Sequence, residues 1–191
     1  MNQSEALQAL KLSDAVQSGH FQLTSGRHSD TYVQCARVLE DPALTTRFAE
    51  TIVGLLPEGE IDLVAAPAVG GIVIGFAVAQ ALGVRFIFSE RVDGAMRFRR
   101  GFIVPSGARV LVVEDVVTTG GSVAEVVELV RGASGVPVAV ASIIDRGGPK
   151  KFDIPLYAVL RLEVESWDPE ACGLCADGVD IHSPGSRRIS K

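Results

Sequence analysis

Two neighbouring acidic residues, Glu114 and Asp115, follow an apolar run, Arg109-Val110-Leu111-Val112-Val113, and precede, after Val116 and Val117, a turn rich in hydroxyls and glycines, Thr118-Thr119-Gly120-Gly121-Ser122. The β-branched run reads as a strand covered on both faces, as in a parallel sheet. Beyond the turn, Val123, Val126, Val127 and Val130 recur at helical spacing, and Ser122 and Glu125 stand at capping-box spacing, so a helix starts there with its amino end facing the turn. The backbone N–H groups of Thr119, Gly120, Gly121 and Ser122 then make a cradle for a dianionic phosphate, which the glycines let approach closely. The hydroxyls of Thr118, Thr119 and Ser122 add donors. Two ionised carboxylates beside a phosphate would repel it unless they faced something else. A ribose diol meets that need, because its vicinal hydroxyls donate to the carboxylates while the phosphate of the same sugar lies in the turn. Taken singly, each piece also reads as a strand ending in water or an ordinary loop; one sugar phosphate accounts for all of them.

Positioning such residues requires a regular scaffold, and the chain supplies one. Helical patterns cover 4–16, 42–55, 71–82 and 123–131, and buried strands are expected over 61–66, 86–89, 109–113, 138–144 and 156–164. This alternation predicts an α/β protein with a doubly wound, mostly parallel sheet, whose ligand crevice lies at the carboxyl ends of the strands. The residues before Pro42 and the carboxyl-terminal tail are expected to form a small cover over the crevice. With 191 residues, 47% of them apolar and 21% charged, the whole of 1–191 reads as one domain. A net charge of −5 argues against nucleic acid as the main partner. No apolar run reaches the ~20 residues of a membrane span, and the amino end carries no export signal, so a cytoplasmic location is the default expectation.

The acidic pair and its turn resemble the phosphoribosyl-pyrophosphate signature of the type I phosphoribosyltransferases. The segment is neither a Walker A loop nor a dinucleotide fingerprint, since neither Gly-Lys-Ser/Thr nor Gly-x-Gly-x-x-Gly is present. The resemblance implies that Glu114 and Asp115 hold the ribose hydroxyls and that Val116, Val117, Thr118, Thr119, Gly120, Gly121 and Ser122 cradle the 5-phosphate. It further implies that Ala68, Val69, Gly70 and Gly71 bind pyrophosphate, with Mg²⁺ held through the substrate rather than by the protein. Two further segments resemble the orotate-specific branch: Thr24-Ser25-Gly26-Arg27-His28-Ser29 and Ile143-Ile144-Asp145-Arg146-Gly147-Gly148. They imply that Ser25, Arg27, Thr118 and Arg146 contact orotate, an anion for which an arginine fork is suited. The tail over 167–188 is similar to that of a short bacterial, Thermus-type branch.

Departures from the better-known orotate enzymes sit at Thr24 and Gly70, where lysines are common, and in the loop over 90–101. That loop carries Arg91, Arg97, Arg99 and Arg100 but no lysine or histidine. Arginine preserves charge stabilisation and not proton donation. Arg91 and Asp115 are therefore the residues assigned to the chemistry, and the loop, with Gly94 and Gly101 as hinges, is the expected lid. In the family such a loop serves the neighbouring subunit, which implies a homodimer. A purine-base transferase is the competing reading, which Arg146 opposes because adenine and hypoxanthine offer it no anionic group. A sugar-phosphate-sensing regulator lacks the basic face it would need for DNA.

Cys172-Gly173-Leu174-Cys175 has zinc-knuckle spacing, with Cys35 and His182 as residues that would complete four ligands. Two reduced packing thiols and a redox pair are the other readings. His20, His28 and His182 read as hydrogen-bonding or surface groups rather than bases.

Overall fold

The structure, a computed structural model, describes residues 1–23 and 25–184. Thr24 and the tail residues Gly185, Ser186, Arg187 and Arg188 lie outside them. A six-stranded sheet has the order β5-β4-β3-β6-β7-β8, built from β3 (Leu63–Pro67), β4 (Arg85–Val92), β5 (Ala95–Phe98), β6 (Arg109–Val117), β7 (Val136–Asp145) and β8 (Leu156–Arg161). All neighbours pair in parallel except β4 and β5, which form an antiparallel edge hairpin. Strand residues alternate between the two faces. Val64, Leu111, Val113, Ala139 and Ala141 pack with α1 (Gln3–Leu12), the one-turn α2 (Ala36–Leu39), α3 (Pro42–Leu55) and α4 (Gly71–Leu82). Leu63, Ala65, Val110, Val112 and Val140 pack instead with α5 (Gly121–Gly132), whose Val123, Val126, Val127 and Val130 are all buried. The expected doubly wound architecture is therefore present, with each fully buried valine or leucine contributing about 1.5–3 kcal/mol.

Three of the differences from the sequence expectation have a clear physical cause. The first helix stops at Leu12 rather than Val16: the Ser13 hydroxyl donates to Leu10 O at 3.2 Å, Asp14 turns the chain at φ 55°, and Val16 already opens a strand. The strand carrying the acidic pair continues past Val113 to Val117, because β7 stays in register with it as far as Val117 opposite Asp145. The expected lid is largely hairpin, its two-residue turn at Asp93 and Gly94 both having positive φ.

The small cover is formed by an antiparallel hairpin, β1 (Val16–Gln22) and β2 (His28–Val33), together with the tail. Gln22 N–H donates to His182 O and His28 N–H to Trp167 O, both at 2.8 Å, and the Ser29 hydroxyl donates to Glu165 O at 2.7 Å. A 3₁₀ turn (Pro169–Ala171) and a one-turn helix, α6 (Gly173–Ala176), close the tail over the hairpin. No helix among the described residues is long and apolar enough to cross a membrane.

Candidate active site

Glu114 and Asp115 occupy the last third of β6, half-buried where the sheet opens. Burial pushes the Glu114 carboxyl up to about 9, aided by the adjoining Asp115 carboxylate. Asp115 is raised by burial as well, opposed by the Val116 N–H, which donates to Asp115 Oδ1 at 2.7 Å. Two fully ionised carboxylates side by side are thus disfavoured in the unliganded chain, where burial and the Asp115 carboxylate favour the protonated form of Glu114. A ribose diol still fits, since each hydroxyl both donates and accepts, and a neutral Glu114 lessens repulsion toward the phosphates beside it. Cys35, buried nearby, is pushed up by burial and then by Asp115 and Glu114, and so stays a thiol.

The turn after β6 reaches α5 without a side-chain cap. Gly120 is the N-cap in the left-handed region, φ 71°, and a Cβ there would overlap the Phe152 ring, so only glycine fits. The expected capping box is absent because the helix begins two residues early, at Gly121 instead of Val123, and Glu125 is engaged elsewhere. The first intrahelical bond runs from Ala124 N–H to Gly120 O at 2.8 Å, which leaves the N–H groups of Gly121, Ser122 and Val123 for an anion.

Ala68, Val69, Gly70 and Gly71 join β3 to α4, facing the acidic pair. A Cβ on Gly70 would lie 2.8 Å from Asp115 Oδ1, and one on Gly71 would lie 2.8 Å from Val113 O and 3.1 Å from Glu114 Oε1. The glycines are there because two strand ends converge, which leaves backbone as the surface facing the acidic pair.

A cleft of about 660 Å³ joins the end of β6 and its turn to the cover. Asp115, Val116, Thr118 and Thr119 form its floor, Gln22, Ser25 and Tyr32 come from the hairpin, Ser166 from the tail, and Arg146 from the loop after β7. The Arg146 guanidinium is partly buried, its Nε has no hydrogen-bond partner among the described residues, and burial lowers its pKa. A guanidinium whose Nε is buried without a partner is costly and suits an anion. A larger cleft, about 950 Å³, lies between β5 and α5, but Met96, Phe98, Phe102 and Leu129 give it apolar walls, with Glu125 and Glu128 beside them. That is the wrong chemistry for a phosphate.

Two expected contacts are absent from this cleft. Arg27 turns away to the tail, its Nε donating to the Ser166 hydroxyl at 3.0 Å and Nη1 to Asp168 at 2.6 Å, so it fastens the cover instead of facing the base. Arg91 forms a bidentate pair with Glu125 at 2.7 and 3.2 Å, and Glu125 also accepts from Met96 N–H at 3.1 Å; together these dock the β4–β5 hairpin on α5. Arg100 pairs with Glu90 at 2.8 Å, while Arg97 and Arg99 make no ion pair among the described residues. Cys35 and His182 do not join Cys172 and Cys175: Cys35 lies under the acidic pair, and His182 packs beside Phe21.

Lys150 is a residue that sequence reading missed. Its Nζ pairs with Asp145 at 2.6 Å, both side chains largely buried, and donates to Gly147 O at 2.6 Å and Thr118 O at 2.9 Å. It therefore ties the Arg146 loop to the phosphate turn. Nothing periodic marks it within Gly-Gly-Pro-Lys-Lys, so only the fold reveals it.

A parallel sheet with an acidic strand end, an amide-lined turn and a glycine loop across from it defines a phosphoribosyltransferase site, and residues 36–176 match the phosphoribosyl transferase domain family. The chain is 48% identical over 190 residues to an orotate phosphoribosyltransferase of Heliobacterium modesticaldum, covering 98% of this chain and 100% of that relative. It is similar to the crystal structure of the Aeropyrum pernix orotate phosphoribosyltransferase, with a TM-score of 0.70 and 26% identity over 82% of this chain and 93% of that one. An adenine phosphoribosyltransferase from Rhodothermus marinus shares the fold, with a TM-score of 0.67 at 23% identity over 83% of this chain and 99% of that one. The chain belongs to the orotate phosphoribosyltransferases.

Proposed function

We propose that this chain transfers the phosphoribosyl group of phosphoribosyl pyrophosphate to a ring nitrogen of orotate, giving orotidine 5′-monophosphate and pyrophosphate. The single observation that carries the choice of base is Arg146, a half-buried guanidinium in the cleft whose Nε has no partner among the described residues. A carboxylate is the planar anion that a guanidinium fork fits. Adenine shares the fold's requirements but has no such group.

In this reading the Gly121, Ser122 and Val123 amides hold the 5-phosphate, Glu114 and Asp115 the ribose hydroxyls, and Gly70 and Gly71 the pyrophosphate. Ser25 and Thr118 flank the base at the side of the cleft that Arg146 closes. The new bond joins the orotate nitrogen to the anomeric carbon as the bond from that carbon to pyrophosphate breaks. The ring N–H, acidified by its flanking carbonyl, gives its proton to water or to the departing pyrophosphate as the bond forms, so no side chain has to act as a strong base. Positive charge developing on the sugar lies beside the Asp115 carboxylate, which stabilises it. The oxygen-rich acidic pair beside a backbone cradle suits a hard cation that is bound mainly by its substrate, and Mg²⁺ would neutralise the departing pyrophosphate. Arg91, paired with Glu125, holds the hairpin, which leaves Arg97 and Arg99 as the loop cations for the leaving group.

A homodimer is part of the proposal. Val73 and Phe76 stand three apart on α4, 46% and 59% exposed, with Val69 of the pyrophosphate loop 81% exposed beside them. This apolar stripe next to the site suits a second copy. Incubated with phosphoribosyl pyrophosphate and Mg²⁺, the protein is expected to consume orotate and release orotidine 5′-monophosphate and pyrophosphate in equal amounts. Consumption of the sugar phosphate without a nucleotide product would reject the proposal.

A further inference from the structure

We propose a structural zinc site formed by His20, His28, Cys172 and Cys175, which pins the cover to the rest of the chain. One ligand atom from each residue lies within 4.8 Å of all the others. His20 Nε2 is 3.1 Å from His28 Nδ1, 3.5 Å from Cys172 Sγ and 3.7 Å from Cys175 Sγ, and Cys175 Sγ is 3.2 Å from His28 Nδ1. With Zn–N of about 2.0–2.1 Å and Zn–S of about 2.3 Å, a tetrahedron has edges of about 3.3 Å between nitrogens and about 3.5 Å between nitrogen and sulfur. Those four separations lie within about 0.4 Å of the tetrahedral edges, and the remaining two are within 4.8 Å.

Hydrogen bonding alone does not explain the cluster. His20 Nδ1 lies 2.8 Å from Val179 O, and a carbonyl has no proton to give, so Nδ1 carries the hydrogen and Nε2 presents its lone pair. Three neighbours crowd that one lone pair. If His28 Nδ1 donates to it, no ring-nitrogen lone pair among the four groups is left to accept from either thiol. If His28 Nδ1 accepts from Cys175, two nitrogen lone pairs face each other at 3.1 Å. A cation at the centre uses all four, and the Val179 carbonyl is the outer partner that fixes the ligating tautomer of His20. Two thiolates and two imidazoles in a tetrahedron select zinc over hard cations.

The ligands come from β1, β2 and the two ends of the Cys-x-x-Cys step at α6, so the metal joins the hairpin to a tail more than 140 residues away, the Cys175–His28 separation being 147. The same hairpin and tail supply Gln22, Ser25, Tyr32 and Ser166 to the cleft. The metal would hold the base end of the site closed without touching substrate.

Protein purified from zinc-supplemented cells is expected to contain about one zinc per chain by elemental analysis. Cys172→Ser with Cys175→Ser should reduce that at least tenfold, while His182→Ala should keep it. Titrating metal-stripped wild-type protein with Co²⁺ should give intense tetrahedral ligand-field bands and thiolate-to-cobalt charge transfer, a readout that needs no variant to fold. Stripping the metal should speed amide exchange severalfold in β1, β2 and the tail and leave the central sheet unchanged. Metal-free wild-type protein with a weak octahedral cobalt spectrum, or a Cys172–Cys175 disulfide in the purified protein, would overturn the proposal. None of these readouts depends on which base the enzyme uses.

Discussion

Replacing Arg146 by alanine is expected to lower kcat/KM for orotate at least about thirtyfold, the equivalent of ~2–5 kcal/mol for truncating one partner of a desolvated charge pair. The Michaelis constant for phosphoribosyl pyrophosphate should stay within about twofold, because the sugar-phosphate turn is braced by Lys150 and not by the Arg146 side chain. The melting temperature should hold or rise, since a partly buried guanidinium without a partner at Nε destabilises the unliganded fold. A structural arginine would behave oppositely, losing stability without discriminating between substrates. Steady-state kinetics in both substrates, paired with a melting curve, separates the two outcomes. Equal losses for both substrates would place Arg146 outside the base site.

The acidic pair should show the other large effect. Glu114→Gln combined with Asp115→Asn is expected to weaken phosphoribosyl pyrophosphate binding by roughly a hundredfold or more, because two hydrogen bonds to charged or shared-proton groups are worth about 1.5–3 kcal/mol each. Calorimetry of the binary complex measures this directly, and unchanged affinity would remove the pair from the ribose site. Glu114→Gln alone tests the electrostatics. Burial and Asp115 push Glu114 up to about 9 in the fold, from the 4.5 of an ordinary carboxyl. Between those values the native state holds a proton that the unfolded chain has released. The contribution to stability is complete below about pH 4.5 and is lost as pH rises toward about 9. Glutamine stays neutral throughout, so the unliganded variant should melt above the parent at pH 8.5, by a margin that shrinks as pH falls and closes near pH 5. Parallel melting curves across that range would mean that Glu114 is ionised in the fold.

What the sequence disclosed and what it hid follow from distance along the chain. The acidic pair, the turn and the valine stripe of α5 lie within about twenty residues, so local pattern and local chemistry reach the same answer. That Gly70, Gly71 and Arg146 lie at the rim of the sheet was legible for a related reason, each following a buried strand. The cover was less readable. β1 carries Gln, Ser, Gly and His with a bulge between Ser18 and Phe21, which breaks the alternation that marks a strand. β5 has only four residues and a single buried side chain, Met96, so its hydrophobic signal is too short to register.

The partners of Cys172 and Cys175 were misassigned because proximity in the fold is not written as spacing. His20 sits 152 residues from Cys172, and it arrives there only because the tail folds back onto the hairpin. Arg27 and Arg91 illustrate the same limit. Residue type placed them near substrate, whereas Asp168 and Glu125, far along the chain, engage them instead. The capping box failed through geometry: Gly120 adopts a left-handed N-cap that Phe152 makes obligatory, and that shifts the helix start away from Ser122 and Glu125.

The choice of base is the central claim, and one comparison of wild-type specificity constants tests it most directly. With phosphoribosyl pyrophosphate and Mg²⁺ in excess, pyrophosphate release is followed with orotate, uracil, adenine, hypoxanthine and xanthine in turn. Orotate is expected to exceed uracil, which lacks only the carboxylate, by about thirtyfold or more, and the purines should be slower still. Turnover of a purine at or above the rate with orotate would contradict the account and leave only the sugar-phosphate half of the site standing.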